Sequence, residues 1–173
     1  MKVFNVDFDK ASFRESFIDF FSESSPTEDS EYGSIESRII QATDLIEELR
    51  TSDISLFSSY DGDYPIMYCF FDIQKEKKQI YINFCFPGFR YNSTKDSNKM
   101  AEGFYSCCLK AMSICGYDYM EAEIRRGKRK KSMLLFLSKF YKACVIEKKD
   151  KNSLHVIKIK KESLLNEIKK LQL

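Results

Sequence analysis

Two carboxylates in the chain are placed to act in proton transfer. Glu121 and Glu123 alternate within a predicted strand, Tyr119–Ile124, so both side chains fall on one face of it. A carboxylate in reach of a reacting amine can serve as a general base. The other interpretation, that they face solvent or pair with Arg125 and Arg126, needs no special chemistry and is preferred. We therefore assign no catalytic residue from the sequence.

Thiols and an imidazole are the other groups that could react or bind a metal. No Cys-x-x-Cys pair and no Cys/His cluster shows the spacing of a zinc site. Most of the cysteines fall on apolar faces of predicted elements, which indicates reduced thiols in a core, and the single histidine falls in a predicted strand. We expect no metal ion. The residues are Cys69, Cys85, Cys107, Cys108, Cys115, Cys144 and His155.

A basic run is the densest charge feature of the chain. It consists of Arg125, Arg126, Lys128, Arg129, Lys130 and Lys131. Like charges this close repel one another, which favours an anionic partner. Three interpretations stay open: a solvated loop, contact with an acidic protein surface, and contact with nucleic acid or with the phosphates of a coenzyme. We predict that the run binds a partner, with a protein or a second copy of the chain preferred.

The two ends of the chain carry opposite charges. Residues 1–63 contain five Lys/Arg against 15 Asp/Glu, whereas residues 121–161 contain 14 against four. Such polarity permits head-to-tail contacts between copies. The sequence shows no 18-residue apolar run and no N-terminal signal region. We expect no membrane contact, no secretion by a signal peptide, and a cytoplasmic protein or one assembled into a virion made in the cytoplasm.

Hydrophobic periodicity predicts the element order βααβββαβαββ, followed by a C-terminal helix. In the middle lie a strand at Ile80–Phe86, a helix after a turn-prone loop, and the strand Tyr119–Ile124. A further apolar helix is predicted at 128–140. Such a crossover places the two strands parallel in one sheet. We predict a single domain, 1–160, with a mixed sheet flanked by helices on both faces, an α/β fold of the α+β kind, and an amphipathic helix at 161–173.

This order resembles the GNAT superfamily of N-acetyltransferases over nearly the whole chain. The segment 86–90, Phe-Pro-Gly-Phe-Arg, looks like the start of that family's acetyl-CoA loop, where a strand runs into a Pro-x-x-Arg turn. Ser132 through Tyr141 looks like the family's late helix. The resemblance implies a GNAT-like sheet in which the strands at 80–86 and 119–124 are parallel neighbours.

The sequence departs from the family's pattern at two places. The family's loop is rich in glycine, which lets backbone N–H groups approach a pyrophosphate. Residues 91–98 contain no glycine and include Asp96, and Phe136 falls where the family commonly has a catalytic tyrosine. We therefore expect no cofactor and a non-catalytic acetyltransferase-fold protein, acting as a structural or interaction component of a larger assembly. In this the chain resembles the degenerate, non-catalytic copies of the fold that are found in bacteriophage particles.

The alternative is an acetyl-CoA-dependent N-acetyltransferase with a divergent coenzyme loop. The resemblance then implies coenzyme contacts from the end of the strand and from the loop after it, and the basic run would contact phosphates. These residues are Phe84, Phe86, Arg90, Ser93, Thr94 and Asn98.

The C-terminal amphipathic helix is too short to be stable alone in water. It must pack on its own domain or on a neighbouring chain. We predict Leu165 and Ile168 on its apolar side as partner-binding residues.

Overall fold

The fold comes from a computed structural model, which describes residues 1–23, 35–88, 96–124, 144–148 and 155–171. Seven strands and four helices lie in these ranges. They are β1 (Lys2–Asn5), α1 (Ala11–Glu23), α2 (Ile35–Arg50), β2 (Ile54–Asp61), β3 (Tyr64–Gln74), β4 (Gln79–Pro87), α3 (Ser97–Cys115), β5 (Tyr119–Ile124), β6 (Cys144–Lys148), β7 (His155–Lys160) and α4 (Lys161–Leu171). The helix predicted at 128–140 lies outside the described residues.

All seven strands join one sheet in the order β1-β2-β3-β4-β5-β7-β6. The pairing of β4 with β5 is parallel, and every other pairing is antiparallel. Gly62 closes the β2–β3 hairpin with a positive φ of 60°, a conformation that glycine adopts without strain. The predicted mixed sheet is confirmed, including the parallel pair at its centre.

Helices cover both faces of the sheet because successive strand residues point to opposite sides. On β3, Met67, Cys69 and Phe71 pack with α3, whereas Tyr68 and Phe70 pack with α1 and α2. The α1–α2 side is largely aromatic and includes the fully buried Phe13, Phe17 and Phe86. The strands therefore supply two separate cores, one on each face.

The C-terminal helix α4 packs on its own domain. Leu164 is completely buried in the core on the α3 side, and Ile168 packs against the same core while partly exposed. The backbone N–H of Lys161 donates to the carbonyl of Asp118, which fixes the start of α4 beside the start of β5. Leu165 is 44% exposed. Of the two predicted partner-binding residues, Leu165 is thus at the surface, whereas Ile168 packs mostly against the core of its own domain.

No helix in the described ranges is long and apolar enough to cross a membrane.

Candidate functional site

A cleft between β4 and β5 is the main candidate site. The two strands share one register pair, Tyr81 with Glu121. Beyond that point β4 pairs only with β3, as far as Pro87, and β5 pairs only with β7, as far as Ile124. Because both strands continue past this pair without pairing with each other, we infer that they separate toward their carboxyl ends. The backbone edges that face each other across this cleft are not paired in one ladder.

A β-bulge at Asn83 lies inside the separating part of β4. Phe84 pairs with Phe70 and Ile82 pairs with Phe71, so Asn83 is an extra residue on β4. A bulge bends a strand and changes the face to which the following side chains point. Before the bulge, Ile82 packs on the α3 side; after it, Phe86 packs on the α1–α2 side. The alternation of side chains between the two faces of the sheet therefore shifts by one residue at Asn83.

The carboxyl end of β4 is held by close packing. Phe86 is stacked on Tyr68 with ring centroids 5.1 Å apart. The N–H of Gly88 donates to the carbonyl of Ile66 at 2.8 Å. A Cβ at Gly88 would lie only 2.0 Å from the carbonyl oxygen of Pro65. Gly88, which resembles part of a coenzyme loop in the sequence, is thus required for the close approach of the chain to the start of β3.

The N-terminus of α3 lies at the same edge of the sheet as the open end of the cleft. Lys99 in its first turn forms an ion pair with Asp61 at the end of β2. Asp96 occupies the N-cap position, and its side chain makes no capping hydrogen bond. A helix N-terminus attracts anions, but a carboxylate at this position opposes a second negative charge. Asn98 is exposed on the first turn.

The closed end of the cleft carries a buried carboxylate. Glu121 is 4% exposed, accepts a hydrogen bond from Gln79 Nε2 at 3.2 Å and has Lys158 Nζ at 3.9 Å. The Tyr81 hydroxyl donates to Gln79 Oε1 at 2.8 Å. Glu121 is therefore buried rather than solvent-facing, with Lys158 near it; Arg125 and Arg126, the partners suggested by the sequence, lie outside the described residues. The side chain of Glu123 is outside what the structure describes.

Several predicted site residues cannot be placed. Phe84 lies on β4 at the bulge, and nothing is described of its side chain. The remaining predicted coenzyme residues and the whole basic run lie outside the described residues. They are Arg90, Ser93, Thr94, Arg125, Arg126, Lys128, Arg129, Lys130 and Lys131. The structure thus brings together Phe86, the bulge and the start of α3, and leaves the loop contacts as predictions.

Five cysteines of the described residues form no disulfide and are mostly buried: Cys69, Cys85, Cys107, Cys108 and Cys115. Burial raises the pKa of Cys69 well above its ordinary value, and nearby Cys107 raises it further. Burial also raises the pKa of Cys85 to about 12. Protonated thiols are poor nucleophiles and poor metal ligands. Among the described residues, no group of three His, Cys, Asp or Glu side chains could hold a metal ion.

Sequence reasoning missed the bulge and the polar contacts at the closed end. Asn83 is the one polar residue among apolar neighbours from Ile80 to Phe86, which is a weak signal for a bulge. Gln79 gave no signal, because its contact with Glu121 joins residues 42 positions apart in the sequence.

Comparison with solved structures shows the same fold. An uncharacterized protein from Bacillus halodurans superposes with a TM-score of 0.60 at 11% identity, covering 98% of this chain and 89% of that one. The N-acetyltransferase PseH of Campylobacter jejuni, in complex with acetyl coenzyme A, gives 0.55 at 11%, covering 92% and 99%. The aminoglycoside 6'-N-acetyltransferase of Enterococcus faecium gives 0.57 at 10%, covering 92% and 96%.

The chain therefore has a GNAT-like fold. No protein-family model and no curated protein matches the sequence.

Proposed function

We propose that the protein binds an acyl-coenzyme A in the cleft between β4 and β5 and acts as an N-acetyltransferase with a divergent coenzyme loop. The observation that carries this proposal is the separation of the two parallel strands beyond Tyr81 and Glu121, with a bulge at Asn83 in the separating part. If β4 and β5 served only to form a stable sheet, further backbone hydrogen bonds between them would make the sheet more stable.

The cleft suits the pantetheine arm of the coenzyme. This arm is extended and contains two amides, and an extended amide chain pairs with exposed strand edges as a peptide does. The edges of β4 and β5 supply such backbone groups. The fit is better for this arm than for the phosphates, because Asp96 lies at the N-cap of α3 and residues 91–98 contain no glycine.

Bound acyl-coenzyme A would supply a thioester, whose acyl carbon forms a C–N bond with an amine as its C–S bond breaks. In this proposal, backbone N–H groups near the bulge donate to the thioester oxygen, where negative charge develops. The amine must lose a proton, and the departing sulfur must gain one. Glu121 accepts from Gln79 and lies near Lys158, so we assign it to structure rather than to proton transfer.

The structural neighbours support the coenzyme. PseH is a complex with acetyl coenzyme A, and an aminoglycoside 6'-N-acetyltransferase with a TM-score of 0.53 at 9% identity is a complex with coenzyme A; this chain and that one are covered to 92% and 96%. At these identities the likeness supports the shape of the site and not its substrate. The acceptor we propose is accordingly only an amine.

Calorimetric titration and thermal unfolding with acetyl-CoA test the proposal. A ligand at 100 times its dissociation constant stabilises the folded state by about 2.7 kcal/mol, so millimolar acetyl-CoA should raise the melting temperature. Pantetheine should bind alone, since the cleft is the observed part of the site. Adenosine 3',5'-bisphosphate should bind more weakly. Release of free coenzyme A in the presence of amines then tests transfer.

The second candidate is the non-catalytic one: an interaction protein within a larger assembly, such as a phage virion. The carboxylate of Asp96 at the N-terminus of α3 favours it, because it opposes a phosphate there. In this case millimolar acetyl-CoA and pantetheine leave the melting temperature unchanged. The same titration therefore separates the two candidates.

A further inference from the structure

The point at which the cleft begins is marked by a group of polar side chains. Gln79 and Tyr81 lie on β4, Glu121 on β5 and Lys158 on β7, and we call these four residues the polar bridge. Its bonds run from Tyr81 OH to Gln79 Oε1 (2.8 Å) and from Gln79 Nε2 to Glu121 Oε2 (3.2 Å). Lys158 Nζ lies 3.9 Å from Glu121 Oε1. The bridge therefore crosses three adjacent strands.

The polar bridge lies on the face of the sheet opposite to α3. Met120 and Ile159 are buried in the core on the α3 side, and their neighbours in the chain, Glu121 and Lys158, point the other way. On the α3 side, Ile80 packs in the same core as Met120. The parallel pair is thus held by apolar packing on one face and by the polar bridge on the other.

The burial of Glu121 makes the polar bridge specific for one register between β4 and β5. A carboxylate that is 4% exposed loses its contacts with water, and removing one of its partners leaves an uncompensated charge. A slip of the β4–β5 register by one residue would move Glu121 or Gln79 to the opposite face and break the bond between them. A single backbone pair does not by itself determine how β4 and β5 are aligned, so the side chains fix the register.

We propose that the polar bridge is a positioning device, which fixes where β4 and β5 separate and thereby sets the width of the cleft. This inference rests on the proposed function, because the width matters for the bound pantetheine arm. Gln79 and Glu121 are positioning residues in this proposal and do not touch the reacting atoms.

A double-mutant cycle on the dissociation constant for coenzyme A tests the proposal. Gln79→Ala and Glu121→Ala should each weaken binding about tenfold, and the double variant no more than either single one, because both remove the same bond. Glu121→Gln should keep most of the affinity, since its amide oxygen can still accept from Gln79. Ile46→Val, a core change in α2 at a residue outside the polar bridge, should destabilise the fold without affecting binding.

Additive losses in the cycle, or wild-type affinity in folded Glu121→Ala, would overturn the proposal. If Glu121→Ala does not fold, Gln79→Ala and Glu121→Gln carry the same comparison. If the wild-type protein binds no coenzyme A, the proposed function fails, and amide hydrogen exchange then decides on the bridge. Exchange at Tyr81 and Ile82 should be faster in Gln79→Ala than in Ile46→Val; equal rates would overturn the positioning role.

Discussion

Gly88 shows how one residue can have a packing reason where the sequence suggests a ligand. Its position in a Pro-Gly turn resembles the start of a coenzyme loop. In the structure, a Cβ at this position would lie 2.0 Å from the carbonyl oxygen and 2.7 Å from the carbonyl carbon of Pro65. Both are backbone atoms, which cannot rotate away, so the requirement for glycine comes from this close approach to β3.

We expect Gly88→Ala to lower the free energy of unfolding by about 1–3 kcal/mol, because the backbone must shift to accept the methyl group. Urea unfolding measures the loss. Gly62→Asn is the matched control: nothing lies within 4 Å of a Cβ there, and asparagine tolerates the positive φ. An unfolding midpoint of Gly88→Ala equal to that of the wild type would contradict the close approach.

The buried thiols predict a loss of stability at alkaline pH. The pKa of Cys69 is raised in the folded state by burial and by Cys107, from an ordinary value near 9. Its protonated form is favoured by folding, so its contribution is complete below pH 9 and is lost as the pH rises above 9 toward the folded-state pKa. Each such thiol lowers the free energy of unfolding by about 1.4 kcal/mol per pH unit in this window.

Urea unfolding between pH 7 and pH 10.5 measures this slope. Cys69→Ala should be less stable at pH 7 because of the cavity, but its stability should decline less steeply above pH 9. Cys115→Ala is the control: burial raises the pKa of this partly exposed thiol less than that of Cys69, so the change should alter the slope less than Cys69→Ala does. If the free energies of unfolding of Cys69→Ala and of the wild type declined equally with pH, burial would not raise the pKa of Cys69.

At the scale of elements, periodicity alone predicted most of the structure. The strand at Tyr119–Ile124 has the predicted bounds, because the apolar residues Met120, Ala122 and Ile124 alternate with more polar ones. The bulge at Asn83 was not predicted. A register shift depends on what the neighbouring strand presents, and residues 80–86 are nearly all apolar, so their pattern does not locate one.

The helix α4 gives a prediction about its two adjacent leucines. Leu164 is fully buried and Leu165 is 44% exposed. Leu164→Ala should cost about 2–5 kcal/mol of unfolding free energy, whereas Leu165→Ala should change it by less than about 0.5 kcal/mol. Equal effects of the two changes would mean that α4 is rotated about its axis.

Leu165 also tests the partner-binding role predicted for this helix. If Leu165 contacts another chain, Leu165→Asp should disrupt assembly in sedimentation while leaving the unfolding of the monomer unchanged. The same variant sedimenting as the wild type would leave Leu165 a singly exposed apolar residue, which is ordinary for a protein surface.

At the scale of the whole molecule, the basic part of the chain follows directly on a strand that borders the proposed cleft. The basic run begins at Arg125, directly after Ile124, the last residue of β5. Since β4 and β5 are parallel, the end of β5 lies at the open end of the cleft, as does the N-terminus of α3. The residue that precedes the run, Ile124, therefore lies at the edge where, in the proposed function, a coenzyme's phosphates would emerge.

This placement predicts salt-dependent coenzyme binding. Salt screens the attraction between basic side chains and phosphates, so coenzyme binding through such contacts weakens as the salt concentration rises. The Debye length is about 10 Å at 0.1 M and 3 Å at 1 M. We expect coenzyme A to bind about tenfold more weakly when Lys128, Arg129, Lys130 and Lys131 are changed to serine, and this variant to show a flatter salt dependence. Pantetheine, which lacks the phosphates of the nucleotide, should bind both proteins equally.

A second variant controls for net charge, because four lost cations also change the field of the whole protein. It carries serine at four exposed lysines outside the run: Lys75, Lys77, Lys110 and Lys169. This control should bind coenzyme A almost as the wild type does. If the two variants bind alike, the basic run does not contact the phosphates. Its self-repulsion would then be relieved by an acidic protein surface, and retention of the wild type, but not of the run variant, on an acidic partner would show that directly.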